Sequence, residues 1–318
     1  MISFRFHVVS ITAVFLALAI GIVVGSTYVD NAVVDQLRNR ISSVSQTLDD
    51  RKAETDQLRS DLGDANDYID ASAEFAVTNR LTDVPLLLLA ARGIDEGSVS
   101  RTLALAGRSG AVVPGVVWLE PKWALDNDGD LAALRAVLGD AAPSGDAVET
   151  LQAAAWDAVM AEVSTPTTTA GAPPPTSPVL DGLVEHGFLT VDPLEDGKAT
   201  LADLRGAGAS VGVLRGAAMQ DGLAQVVRVV VEAAVAAGRP TVAGDVYAPV
   251  TNGPARGADL TDAFSGDLRK EISLVDDADL TEGQVGVVVA LDAAADGVVG
   301  HYGRGKGASD PLPAWTAP

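Results

Sequence analysis

With 318 residues the chain has room for one large domain or two ordinary ones, plus appendages. Its 43 acidic side chains against 22 basic ones give a formal net charge of −21, which sets it against polyanions and leaves nucleic acid out as a partner. It contains no cysteine, so a disulfide, a thiolate metal centre, an iron–sulfur cluster and a thiol nucleophile are all excluded, and redox chemistry says nothing of its compartment.

The amino end is short and carries Arg5. From Val8 to Val29 no side chain is charged, and as a helix at about 1.5 Å per residue this run reaches roughly 33 Å, the thickness of a hydrocarbon core. Residues 8–29 are therefore expected to cross a membrane once. Arg5 and the amino group precede the run and Asp30 and Asp35 follow it, so the positive-inside bias places residues 1–7 in the cytoplasm and everything after the span outside. A cleaved signal peptide, cut near Val24-Gly25-Ser26, is the rival reading. Gly21 and Gly25 form a small-xxx-small pair that would let two spans approach closely.

No helix breaker separates this run from the charged sequence behind it. Val34, Leu37, Ile41, Val44, Leu48, Arg51, Thr55, Leu58, Leu62, Ala65, Ile69 and Ser72 alternate at spacings of three and four, which is a heptad a/d pattern and predicts a coiled coil over 30–76. Its apolar seam is Val34, Leu37, Ile41, Val44, Leu48, Leu58, Leu62 and Ile69, with β-branched residues at the first two a positions, a bias toward a parallel homodimer. Glu54 at g faces Arg59 at the following e as the evident interhelical ion pair. Arg51 and Thr55 make a polar gap in the middle of the seam.

Residues 80–302 read differently. Val84–Ala91 is a short continuous apolar run, as expected of a strand buried on both faces. A helix pattern follows to Gly107, and Gly110–Glu120 is a second apolar strand region, completing a βαβ unit. Further strand signals fall at Ala209–Gly216, Pro240–Ala248 and Glu271–Asp277, with a helix over Asp221–Gly238. The class is α/β, a Rossmann-like three-layer domain with helices on both faces of a mostly parallel sheet. Gln225, Arg228 and Glu232 mark the apolar stretch after Leu223 as a packed helix, not a second span. The Pro/Thr-rich stretch 164–178 reads as a flexible loop inside this domain, and 303–318 as an irregular tail.

Few residues suggest chemistry. Gly300–Gly307 has the spacing GxxxxGK, but Gly307 stands where a phosphate loop needs Ser or Thr, and no helix follows. Asp126–Asp130 resembles the start of a calcium loop, but Leu131 and Val137 occupy the positions where it needs Gly and Glu, so Asp128 or Asp130 is expected to cap a helix. His7, His186 and His301 are far apart, and Met160 and Met219 are isolated. His301, beside Tyr302 in a glycine-rich loop, is the best candidate metal ligand. No GxSxG or HExxH signature is present, so the chain reads as a non-enzyme that requires no cofactor.

The opening "MISFRFHVVSITAVFLALAIGIVVGS", the coiled coil, the α/β domain, and then "SLVDDADLTEGQVGVVVAL" and "GHYGRG" resemble, in that order, the actinobacterial MctB family, described as copper-transport outer-membrane proteins. The resemblance runs over essentially the whole chain and is most specific at Met1–Ser26 and Ser273–Gly305. It implies a cell-envelope location and a role in copper transport or homeostasis, with copper as the metal. The resemblance also takes in SteB-like proteins. Those imply an alternative, a dimeric scaffold that controls a peptidoglycan hydrolase with a membrane partner. A β-barrel needs many alternating segments of about ten residues, which this sequence lacks, so a single cell-membrane anchor is expected despite the family's outer-membrane label.

Overall fold

The computed structural model describes residues 4–145, 147–164, 178–195, 197–205, 209–216, 219, 221–249, 253 and 255–314. The chain divides into two compact units, Met1–Asp67 and Tyr68–Pro318.

The first unit is helical throughout its described length. It forms most of α1 (Phe4–Val77). Phe4–Gly25 is long and apolar enough to cross a membrane. The Thr12 hydroxyl within it donates to the Val8 carbonyl at 2.8 Å, which satisfies that hydroxyl without help from solvent. Farther along, Arg38–Asp35, Arg51–Glu54 and Arg59–Asp56 pair within the helix at 3.5, 2.9 and 3.5 Å. Such exposed pairs contribute only about 0.3–0.5 kcal/mol each. Glu54 and Arg59, the residues expected to meet between helices, thus each have a partner on their own helix. Val34, Leu37, Ile41, Val44, Leu48, Leu58 and Leu62 are all exposed within this unit.

The last turns of α1 belong to the second unit. There Ala73 and Val77 enter the core, Ile69 is half-buried, and Glu74 pairs with Arg108 at 2.8 Å.

The second unit is a mixed α/β fold around a seven-stranded sheet of order β3-β2-β1-β4-β5-β6-β7. The strands are β1 (Leu86–Ala91), β2 (Gly115–Leu119), β3 (Leu189–Pro193), β4 (Ser210–Arg215), β5 (Thr241–Asp245), β6 (Ser273–Val275) and β7 (His301–Tyr302). All pairings are parallel except that of β2 with the edge strand β3. The helices are α2 (Glu96–Arg108), α3 (Asp128–Leu138), α4 (Val148–Ser164), α5 (Pro178–Glu185), α6 (Asp221–Ala236), α7 (Ala258–Ala263) and α8 (Thr281–Ala295).

The continuous apolar runs form strands because both faces of the sheet are covered; every residue of β1 and β4 is buried. On one face α3–α6 close over Trp123, Trp156 and Phe188, with Trp123 stacked at 5.6 Å on Trp156 and tilted at 5.3 Å against Phe188. On the other, α2, α8 and the end of α1 pack against Leu86, Leu88 and Trp118. The stretch after Leu223 is the core helix α6, as its polar residues indicate, with Arg228 and Glu232 paired at 2.7 Å on its outer side.

Two local details differ from the sequence reading. The α3 cap is Asn127, not Asp128 or Asp130 as expected, and its side chain accepts the Asp130 N–H at 3.0 Å. Asn127→Ala should therefore lower stability by about 1 kcal/mol in a denaturant titration. His301 lies in a strand, not a loop. The segment 164–178, apart from Ser164 and Pro178 at its ends, lies outside the described residues.

Candidate functional site

The two carboxyl-terminal segments that carry the resemblance meet in space. β6 runs into Asp276-Asp277-Ala278-Asp279 and β7 into Gly303-Arg304-Gly305. The Asp276 side chain, wholly buried, is the centre of the meeting. Its Oδ1 accepts the backbone N–H groups of Arg304 and Gly305 at 2.9 and 2.8 Å. Its Oδ2 lies 3.0 Å from His301 Nε2, close enough for an ion pair with a protonated imidazole but not aligned as a hydrogen bond.

The glycines make this clasp physically feasible. Gly303 has φ +121°, and a Cβ there would fall 2.3 Å from Asp276 Oδ1; one on Gly305 would fall 2.6 Å from the Arg256 carbonyl oxygen. The phosphate-loop-like spacing is thus explained by a cradle of N–H groups around the chain's own carboxylate.

Arg256 closes the arrangement from the segment before α7. Its guanidinium donates to both oxygens of Asp279 at 2.5 and 2.8 Å and to the Asp276 carbonyl at 3.1 Å, and it stacks over Tyr247 at 4.5 Å. The hydrogen bond to Asp279 raises the Arg256 pKa, keeping it charged. Lys306 N–H returns to the Arg256 carbonyl at 2.9 Å, and Arg304 pairs with Glu282. Four segments distant in sequence are held by charge-assisted bonds at the carboxyl ends of β5–β7.

Two further carboxylates are buried here without matching donors. Asp277, 1% exposed, is pushed up to about 6 by burial and then by Asp276 and Glu282. Asp245, at the end of β5 and also 1% exposed, is pushed up to about 6 by burial, which the adjacent Arg215 offsets in part. Burial in turn lowers the Arg215 pKa. Oδ1 of each aspartate and Nη1 of Arg215 have no hydrogen-bond partner.

As a metal centre the arrangement offers one imidazole nitrogen and one carboxylate oxygen side by side. Among the described residues no group of three or more His, Cys, Asp or Glu stands close enough to hold a metal ion. Met160 is a core residue under α4 and α6, Met219 is half-buried, and His7 and His186 are exposed on other elements. Gly21 and Gly25 have nothing within 4 Å of where a Cβ would be.

Sequence reasoning singled out His301 but missed Asp276, its neighbour, and Arg256. The signal available was the consecutive "DDAD" at a strand end. A cavity of about 320 Å³ lies nearby at the ends of β1, β4 and β5, where the strand order reverses, between Ile94, Leu223, Val246 and Tyr247. A larger one of about 550 Å³ lies away from this chemistry, between α2 and the β2–β3 edge.

Comparison with known proteins agrees along the full length. A family model described as "Copper transport outer membrane protein, MctB" matches residues 1–313. The chain is 30% identical over 323 aligned positions to the copper transporter MctB of Mycobacterium bovis, covering 97% of this chain and 98% of that protein. It matches the copper transporter MctB of Mycobacterium tuberculosis to the same extent. With the whole chain matched in this way, it belongs to the MctB family.

Proposed function

We propose that this chain is a single-pass cell-membrane protein that serves copper homeostasis without catalysing a reaction. The observation that carries the reading is the near-complete match to relatives named copper transporters. In this reading residues 1–7 are cytoplasmic, residues 8–29 supply the anchor, most of which lies in the apolar helix Phe4–Gly25, and the α/β unit is extracytoplasmic, in keeping with Arg5 before the span and Asp30 and Asp35 after it. Two copies pair in parallel through a coiled coil over 30–76. The strand order and the helices on both faces support a Rossmann-like description of the second unit.

Copper enters as the cargo. His301 Nε2 with Asp276 Oδ2 is the donor pair, an imidazole and a carboxylate that suit Cu(II) better than Cu(I), whose preferred thiolate ligands the chain lacks. Calorimetric titration of the full chain with each ion, beside His301→Gln, should show Cu(II) binding tighter than micromolar that the variant loses. Cells lacking the chain should differ in copper content from cells carrying it. Unchanged copper content together with no specific binding would overturn the copper reading and leave the SteB-like scaffold.

A further inference from the structure

The helical phase of the coil continues into the membrane span. Counting back by sevens from Val34 passes Thr27 and reaches Ile20 and Ala13; counting back from Leu37 passes Asp30 and reaches Val23, Leu16 and Val9. The five inside the span are small or apolar, and Thr27 and Asp30 make a polar step in the seam between the span and the coil. α1 is unbroken across this stretch, so the phase set by the seam is carried through.

At about 100° per residue, Leu16 lies at about 0° from Val34 around the helix, Val23 within about 20° and Ile20 within about 40°. The slight underwinding of a coiled coil removes that remaining drift. Gly25 falls at about 180° and Gly21 at about 140° on the same count. The small-residue pair thus points away from the seam. Residues 4–25 and 33–67 of this helix are all exposed within its unit, so phase rather than exposure singles out one face.

Charge identifies the occupant. The e positions hold Arg38, Lys52 and Arg59, and the g positions Arg40, Glu54 and Asp61. In a parallel in-register pair each g residue meets the next e residue of the other copy. That juxtaposes Glu54 with Arg59, Thr47 with Lys52, Arg40 with Ser45 and Asp61 with Asn66, with no like charges opposed between e and g, although Arg51 and Asp30 at d each meet their own copy. An antiparallel pair would set the cationic e positions against one another.

We infer that a second copy of this chain packs along a seam of one phase from Val9 through Leu62, polar at Thr27 and Asp30 and again at Arg51 and Thr55, which crosses the membrane with it, and that Gly21 and Gly25 face away from the contact. The inference rests on the dimer proposed above and adds where the two spans touch.

The absence of cysteine makes single-cysteine cross-linking clean. Leu16→Cys, Val23→Cys, Gly25→Cys and Leu37→Cys are each made in the full chain and oxidised in native membranes. The disulfide-linked dimer is then measured on non-reducing gels, since only residues with Cα atoms closer than about 7 Å will bridge. Leu37→Cys, Val23→Cys and Leu16→Cys should each cross-link at least threefold more than Gly25→Cys. Cross-linking at Leu37→Cys with Gly25→Cys matching or exceeding the two seam positions of the span would overturn the seam of one phase while leaving the dimer. No cross-linking at Leu37→Cys would overturn the dimer and the seam together.

Discussion

Asp276→Ala should destabilise the α/β unit by about 3–5 kcal/mol, the range for removing one partner of a buried charged network. The substitution strips acceptors from the N–H groups of Arg304 and Gly305 and leaves His301 facing an empty space. Each buried donor left without a partner costs about 1–3 kcal/mol. Asp276→Asn is the informative comparison: its side-chain oxygen still accepts the two N–H groups, so only the contact with His301 changes, and the loss should be about 1–2 kcal/mol. Urea titrations of the full chain in detergent, followed by near-UV circular dichroism of the buried Trp123 and Trp156, read both values. An Asp276→Ala midpoint within error of wild type would show that the clasp does not hold β6 and β7 together.

The series of strands and helices was legible in the sequence because both faces of the sheet are buried. Runs such as "LLLLAA" need no alternation, and Gly107 and Gly238 mark where the helices end. β3 and β7 were not legible, for different reasons. β3 is an edge strand with only Leu189 fully buried, so "LTVDP" looks no different from the amphipathic segment before it. β7 has two residues between glycines, and its pairing with β6 depends on the turn that follows, where Gly303 N–H bonds the Asp310 carbonyl at 3.0 Å.

The candidate site was half legible. "DDAD" and "GHYGRG" stand out as segments, but the bond between them joins residues 28 and 29 positions apart. No local periodicity encodes that distance. The same gap explains why His301, read from its glycine neighbours as a loop residue, is in fact 5% exposed against Asp276.

Asp245→Asn and Asp277→Asn should each stabilise the chain at pH 7.5, by about 1–2 kcal/mol, and lose that advantage near pH 3. Both carboxyls are shifted from 3.8 to about 6 in the folded chain, chiefly by burial. At about 1.4 kcal/mol per pKa unit, the ionised form is penalised by up to roughly 3 kcal/mol, from which the unmatched amide of the asparagine subtracts. A raised carboxylate pKa means that the folded chain holds protons the unfolded chain has already released. Stability therefore falls as pH rises through the window from about 4 to about 6, with wild type gaining about 1 kcal/mol per aspartate between pH 7.5 and pH 5. Asp95, lowered by its bonds to Ser98, acts in the opposite sense and only below that window. The overall charge of −21 also favours unfolding as pH rises, so the double variant is the control. If the two aspartates set the slope, the double variant flattens it between pH 5 and 7.5. If general repulsion sets it, the slope persists, and the two carboxylates are better solvated than their burial implies.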